Sequence, residues 1–127
     1  MLNVSFGYLK NLIKRELTLS ELENLLFEMG FEMSANGDEL AIEITPDRPD
    51  LLCAHGLARA INIFLGFEAK DYEAKKSEIK VVVDESVANV RPYAVCAVIK
   101  NINFSTEKLR EIIDFQEKLH STFARGR

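Results

Sequence analysis

Two prolines three residues apart interrupt the chain near its middle, in the segment Thr45-Pro46-Asp47-Arg48-Pro49-Asp50. Proline has no backbone N–H for a strand or helix, and it pushes the residue before it towards an extended conformation. A strand that reaches this segment therefore cannot continue, and a helix that leaves it must begin abruptly. The segment is predicted to be a tight connector from a strand to a helix.

The residues before the connector predict a β-hairpin. Leu40, Ile42 and Ile44 alternate with other side chains, so one face of this strand would pack and the other would meet water. Asn36-Gly37 is a strong two-residue turn signal, because both central residues of such a turn need positive φ. Residues 31–33 supply the apolar side chains of the partner strand.

Three helices and an edge strand are predicted around this hairpin. Residues 2–6 alternate as a short edge strand, and residues 8–15 have the apolar spacing of a first helix. A second helix begins at Thr18, which can form a capping box with Glu21, and ends at Gly30. The third helix, over about residues 50–65, is the most apolar in the chain, and its wet face carries His55, Arg59 and Asn62.

The second half of the chain is predicted to hold a linker and the start of another module. Residues 67–78 are rich in charge and have little pattern, as in a linker. Residues 79–83 and 93–99 predict strands, and Ser105 or Thr106 caps a last helix with the apolar stripe Leu109, Ile112, Ile113, Leu119 and Phe123. The predicted fold class is α+β, with helices plus a hairpin in residues 1–66 and an incomplete β-β-α unit in residues 79–127.

The charge distribution argues against RNA binding by the first half of the chain alone. The chain has 127 residues and a net charge of −4, and residues 1–65 hold five basic and ten acidic side chains, hence −5. Phosphate neutralisation supplies most of the affinity of nucleic-acid-binding proteins. No stretch is apolar enough to span a membrane, and no cationic stub precedes an apolar run, so a cytoplasmic location is expected.

The candidate chemical residues do not form a recognisable catalytic or metal-binding set. Asp47, Arg48 and Asp50 could be a carboxylate pair with an electrophile, but no nucleophile, general base or metal ligand accompanies them. The simpler interpretation is that the acids cap a helix start and the arginine makes an ion pair. The remaining candidates are too scattered to predict a metal site, and both thiols are expected to be free: His55, His120, Cys53 and Cys96.

Two segments resemble the N-terminal region of phenylalanyl-tRNA synthetase β subunits of the archaeal and eukaryotic type. In that family an apolar strand runs into Pro-x-Arg-x-Asp-Leu-Leu and then into a helix with Gly-Leu-x-Arg, which residues 42–60 match. Residues 90–102 resemble the family's entry into its editing module. The resemblance implies a structural or interface role for the motif residues Pro46, Asp47, Arg48, Asp50, Gly56, Arg59, Arg91 and Pro92.

The same resemblance implies a supporting role without a catalytic, cofactor-binding or metal-binding residue in this chain. In the family, ATP, magnesium and phenylalanine are used at a site of the α subunit, and the editing residues would lie outside this chain. The implied partners are the α subunit and the rest of the β subunit, in an assembly of two α and two β chains, with tRNA bound through the parent enzyme. The first module is expected to be a small, winged-helix-like unit.

Two alternative functions remain open at the level of the sequence. The winged-helix likeness allows a stand-alone RNA-binding module. The resemblance to an editing module allows a remnant of a hydrolase that clears mischarged tRNA.

Overall fold

Three short strands and four α-helices make up the regular structure of the part of the chain that is described. The computed structural model describes residues 1–45, 47–69 and 71–124, apart from the side chain of Glu107. In chain order the elements are β1 (Leu2–Ser5), α1 (Phe6–Leu12), α2 (Leu19–Glu28), β2 (Met33–Asn36), β3 (Glu39–Ile42), α3 (Ala54–Phe64) and α4 (Thr106–Thr122), with 3₁₀ turns at Pro49–Leu51 and Glu85–Val87. The predicted α+β class is confirmed.

The described residues form two compact units. The first contains residues 1–69 together with residues 105–124, and the second contains residues 71–104. The first unit therefore includes α4, although the sequence analysis assigns α4 to a second module. The predicted domain boundaries at residues 66 and 78 stay predictions.

The sheet of the first unit is antiparallel, with β3 between β1 and β2. Its core is made of sixteen buried apolar residues, and no polar or charged residue is buried among the described residues. Burial of such surface is the main favourable contribution to folding. The core residues come from β1 and β3, the first three helices and the connections: Leu2, Val4, Leu9, Ile13, Leu17, Leu22, Leu26, Phe31, Leu40, Ile42, Ile44, Leu51, Ala54, Leu57, Ala58 and Ile61.

The hairpin turn differs by one residue from the prediction. Asn36 pairs with Glu39 as the last residue of β2, so the turn residues are Gly37 and Asp38 rather than Asn36 and Gly37. Gly37 has a φ of +62°. Asp38 does not have a positive φ, because Asn101 is the only described residue other than glycine that has one. A positive φ at the first central residue alone is the mark of a type II′ turn, which glycine adopts without steric cost.

This register places Asp38 over the start of α1. The Ser5 hydroxyl donates to Oδ2 of Asp38 at 2.5 Å, the Gly7 N–H donates to Oδ1 at 3.0 Å, and the Phe6 N–H donates to the Asp38 carbonyl at 2.7 Å. Ser5 is also the N-cap, because its Oγ accepts from the Tyr8 N–H at 3.2 Å. These contacts explain why α1 begins at Phe6, two residues before its predicted start.

The predicted capping box of α2 is confirmed. The Thr18 N–H donates to Oε2 of Glu21 at 2.8 Å, and the Glu21 N–H donates to Oγ1 of Thr18 at 3.3 Å. Leu17 and Leu22, on either side of this cap, are both buried. These reciprocal bonds satisfy backbone groups that the first turn of a helix leaves unpaired.

The third helix begins later than the sequence predicts. A 3₁₀ turn at Pro49–Leu51 follows the connector, Cys53 is extended, and α3 starts only at Ala54 instead of at Asp50. The break turns the fully buried side chain of Leu51 into the core before the helix starts.

Asn62 is half-buried, although the sequence predicts it on the solvent-exposed face of the third helix. Its Oδ1 accepts from the Lys14 N–H at 2.8 Å, and its Nδ2 donates to the Leu12 carbonyl at 3.1 Å.

The two strands predicted in the second unit are not formed. Residues 79–83 and 93–99 are exposed and have no strand pairing with any described residue. β-Branched side chains favour an extended chain, but a strand exists only where a neighbouring strand takes up its backbone hydrogen bonds. The predicted cap of α4 is confirmed, since Oγ of Ser105 accepts from the Lys108 N–H at 3.3 Å.

The Asp38 contacts predict a pH-dependent stability. The hydrogen bond from the Ser5 hydroxyl, followed by that from the Gly7 N–H, lowers the pKa of Asp38 below its ordinary value of 3.8. A lowered folded-state pKa adds stability above the unfolded-state pKa, and this contribution is lost as the pH falls through the folded-state value. Asp38→Asn should therefore lower the Tm at neutral pH, and its difference from wild type should shrink as the pH falls through the lowered folded-state pKa of Asp38.

The matched control is Glu43→Gln, which neutralises an exposed carboxylate just after β3. The Tm of Glu43→Gln should stay close to that of wild type at every pH. If the Asp38→Asn difference were the same at neutral and acid pH, the proposed role of the Asp38 carboxylate would be wrong.

Candidate functional site

The candidate site is the connector with the first turn of α3. Among its described residues, Nε of Arg48 lies 3.0 Å from Oδ1 of Asp50, and Nη2 lies 2.9 Å from Oδ2. The two side chains thus form a bidentate pair within one turn, and they are 46% and 39% exposed. Pro46 lies outside the described residues.

The charges of the connector stabilise one another. The hydrogen bond from Arg48 lowers the pKa of Asp50, with a smaller contribution from the charge of Arg59, and the same bond raises the pKa of Arg48. A hydrogen bond from the Thr45 side chain lowers the pKa of Asp47. Both carboxylates are therefore anionic at neutral pH, which suits a structural ion pair and not a proton donor.

Gly56 is required by the approach of the connector to α3. A Cβ at this position would overlap the carbonyl oxygen of Asp50 and lie 3.0 Å from its carbonyl carbon. Both atoms belong to the backbone, so a side chain at residue 56 would force the 3₁₀ turn and the helix apart. The motif glycine thus lets the carbonyl of Asp50 lie directly against the first turn of α3.

Two contacts fix the break between the 3₁₀ turn and α3. Cys53 is the N-cap residue, and its Sγ accepts from the Gly56 N–H at 3.4 Å. The ammonium of Lys118 on α4 donates to the carbonyl of Leu52 at 3.0 Å. Neither contact has a strong sequence signal, because cysteine is not a preferred N-cap residue and Lys118 is 66 residues from its acceptor.

The structure brings some of the predicted motif residues together and not others. Asp47, Arg48, Asp50 and Gly56 meet at the start of α3, and Arg59 is exposed about one turn further along the helix. Arg91 and Pro92 belong to the second unit and are exposed, and the Arg91 N–H donates to the Val87 carbonyl at 2.7 Å. The functional roles of these residues stay predictions.

The described residues contain no group of three or more His, Cys, Asp or Glu side chains placed to hold a metal ion. Cys53 and Cys96 are free. None of the helices in the described ranges has both the length and the apolar character needed to cross a membrane.

Sequence reasoning missed two polar residues that position the helices. Asp38 has no predicted role, and no local pattern shows that its carboxylate meets Ser5 and Gly7, which are 33 and 31 residues away. Asn62 is predicted to face solvent, and no local pattern shows that its helix passes the end of α1.

Comparison with known proteins finds matches to the same kind of protein over the whole length of this chain. The family model for the B1 domain of the Phe-tRNA synthetase β subunit matches residues 1–67. The phenylalanine–tRNA ligase β subunit of Methanocella arvoryzae is 36% identical over 132 residues, covering 100% of this chain and 24% of that protein. The β subunit from Saccharomyces cerevisiae is 32% identical, covering 98% of this chain and 23% of its own length.

A solved structure matches as well. The crystal structure of an N-terminal fragment of the phenylalanyl-tRNA synthetase β subunit from Pyrococcus horikoshii superposes with a TM-score of 0.82 at 34% identity, over 99% of this chain and 39% of that chain. The α+β fold with its proline–arginine connector is thus a module of aminoacyl-tRNA synthetase subunits. Within that class, the chain belongs to the phenylalanine–tRNA ligase β-subunit family. It spans about a quarter of the length of the curated relatives that it matches.

The close approach at residue 56 predicts a strong effect of one methyl group. Gly56→Ala should destabilise the first unit by about 3 kcal/mol or more, at the upper end of the cost of overpacking, because two backbone segments must separate. Urea denaturation followed by circular dichroism would measure this loss.

The matched control is Gly7→Ala, also within a helix. Its Cβ would meet Oδ1 of Asp38 at 3.6 Å, which is an ordinary van der Waals distance. We expect this substitution to be neutral or to stabilise by up to about 1 kcal/mol. Equal effects of the two substitutions would contradict the steric role of Gly56.

Proposed function

We propose that this chain acts as a non-catalytic, N-terminal scaffold of a phenylalanine–tRNA ligase β subunit. It supports the ATP-dependent attachment of phenylalanine to its tRNA in the cytoplasm. Its partners are the rest of the β subunit and an α subunit, in an assembly of two α and two β chains. ATP and magnesium act in that parent enzyme and are bound outside this chain, and tRNA is bound through the complete assembly.

The proposal rests on one observation, namely the contacts that the polar side chains make. In the described structure three pairs of polar side chains are engaged in capping and pairing: Ser5 with Asp38, Thr18 with Glu21, and Arg48 with Asp50. The buried side chains among the described residues are all apolar. Side chains that form hydrogen bonds at helix ends and turns fix the positions of these elements, as is expected of a structural module.

Exposed apolar side chains support docking of this module against other parts of a larger protein. Ile63 and Phe64 at the end of α3 are 48% and 51% exposed, and Phe67 just after them is 36% exposed. Large apolar side chains grouped on a surface are typical of interaction sites. We assign this group to contacts within the β subunit.

The first alternative, a stand-alone RNA-binding module, is disfavoured by charge. Residues 1–65 carry −5, and Arg48 is already paired with a carboxylate of its own turn. A phosphate at Arg48 would have to compete with the carboxylate of Asp50, to which two of the five N–H groups of the guanidinium already donate. The second alternative, a hydrolase that edits mischarged tRNA, needs an enclosed site that binds the aminoacyl group.

The proposal predicts that the chain alone has no aminoacylation or editing activity. Neither ATP–pyrophosphate exchange dependent on phenylalanine nor deacylation of Tyr-tRNA should exceed a buffer control. A complete phenylalanine–tRNA ligase serves as the positive control in both assays. Turnover in either assay by the purified chain, free of host synthetase, would contradict the scaffold role, and deacylation of Tyr-tRNA would favour the editing alternative.

A second prediction separates scaffolding from tRNA contact at Arg48. Because the Arg48–Asp50 pair is more than a third exposed, Arg48→Ala should cost no more than about 1 kcal/mol of unfolding free energy. In an assembled enzyme carrying this substitution, the salt dependence of tRNA binding should be unchanged. If Arg48 contacted a phosphate, the affinity for tRNA would fall and the slope of log K against log salt would decrease by about one.

The control for this measurement is Asp50→Asn, which removes the partner of Arg48 and frees its guanidinium. In the scaffold proposal both substitutions lower the Tm and neither changes the salt slope. Weaker tRNA binding in Arg48→Ala together with tighter binding in Asp50→Asn would support the RNA-binding alternative.

A further inference from the structure

Three large apolar side chains at the end of α3 form a group that we call the α3 patch. The group consists of Ile63, Phe64 and Phe67, which are all exposed although they lie within five residues of one another. The last buried residue of the same helix is Ile61, so the α3 patch is not part of the core. Grouped exposure of this kind is typical of a surface that another part of a protein covers.

A Schellman motif fixes the backbone of the α3 patch. The Phe67 N–H donates to the carbonyl of Asn62 at 2.9 Å, and the Gly66 N–H donates to the carbonyl of Ile63 at 2.9 Å. Gly66 has a φ of +86°, which glycine adopts without steric cost. Because the turn already has its bonded conformation, binding a partner at the α3 patch orders little additional backbone.

The end of α1 places a positive charge at the edge of the α3 patch. Asn62 bonds to the Lys14 N–H and to the Leu12 carbonyl, which holds this part of the chain beside α3. The ammonium of Lys14 lies over the ring of Phe67, 5.5 Å from its centroid. A cation at this distance is attracted by the π-electrons of the ring. Arg59 is exposed four residues before Ile63, on the same face of α3.

Lys14 and Arg59 are unusual in an acidic part of the chain. Residues 1–65 contain only five basic side chains, and two of them, Lys10 and Arg48, form ion pairs with carboxylates close by in the sequence. Neither Lys14 nor Arg59 forms an ion pair with a described residue. Glu68 directly follows the α3 patch and is exposed, so the charge around the patch is +1.

We propose that the α3 patch docks a segment from the rest of the β subunit that presents Asp or Glu side chains beside apolar ones. The proposal rests on the scaffold function proposed above. The chain covers 24% of the Methanocella arvoryzae β subunit, so most of the length of such a subunit is available to supply the segment. Apolar contact provides affinity, whereas the acidic side chains complement Lys14 and Arg59 and fix the orientation of the segment.

Two other occupants match the α3 patch less well. Single-stranded RNA stacks its bases on aromatic rings in a basic groove. The Lys14 ammonium covers one face of the Phe67 ring, Ile63 has no ring, and residues 1–65 carry a net charge of −5. A second copy that docked through the same patch about a two-fold axis would bring like charges together, since each copy contributes its own Lys14 and Arg59.

Hydrogen–deuterium exchange tests the proposal by comparing the chain alone with the assembled enzyme that carries it in its β subunit. Exchange of the backbone amides of residues 63–67 should be at least about tenfold slower in the assembly, because buried aromatic side chains contribute strongly to docking. Phe64→Ala should remove most of this difference. The matched control is Phe27→Ala, which truncates another exposed ring on α2 and should leave the difference unchanged.

A second measurement identifies the docked segment without changing the α3 patch. Carbodiimide coupling joins an amine to a carboxylate in direct contact. In the assembled enzyme it should join Lys14 to an Asp or Glu of the β subunit outside residues 1–127. Lys14→Arg keeps the charge and should keep the slow exchange of residues 63–67, whereas Lys14→Glu should make that exchange about fivefold faster or more.

Unchanged exchange of residues 63–67 in an assembly that does form would overturn this proposal and leave the scaffold function standing. So would coupling of Lys14 only to carboxylates within residues 1–127. Failure of the chain to enter any such assembly would overturn both proposals. Slower exchange caused by tRNA alone, or by a higher concentration of the isolated chain, would overturn the docking proposal in favour of RNA or of a second copy.

Discussion

The contact between the connector and the third helix is the constraint on which the first unit depends. The Asp50 carbonyl lies so close to residue 56 that only glycine fits there. This approach lets the connector turn the buried Leu51 into the core and still deliver the chain to α3. The Arg48–Asp50 ion pair holds the same turn from the outside, but its exposure makes it a minor contribution beside the steric fit.

Single polar side chains that bond to backbone groups of a distant element organise the remaining helices. Asp38 in the hairpin turn caps the start of α1, and Asn62 of α3 bonds to the backbone just beyond its end. Each contact joins elements that are more than thirty residues apart, as the separations of 31 and 48 residues show. Because the core is apolar and nondirectional, such hydrogen bonds supply the directional information that fixes helix positions.

The charged side chains of the first unit make two kinds of contact. The capping and connector carboxylates have lowered pKa values, so they are anionic acceptors for nearby donors rather than proton donors. His55 and Glu111 lie 3.1 Å apart on two helices that the chain connects through a long exposed segment.

The sequence alone determined the features that depend on neighbouring residues. The capping box of Thr18 and Glu21 and the cap at Ser105 follow from local hydrogen bonding. Tertiary structure decided the rest. The shift of the turn to Gly37 and Asp38, the role of Asn62 and the need for Gly56 depend on which backbone groups arrive from distant elements. Residues 79–83 and 93–99 show the converse, because local β propensity cannot form a strand without a partner for its backbone.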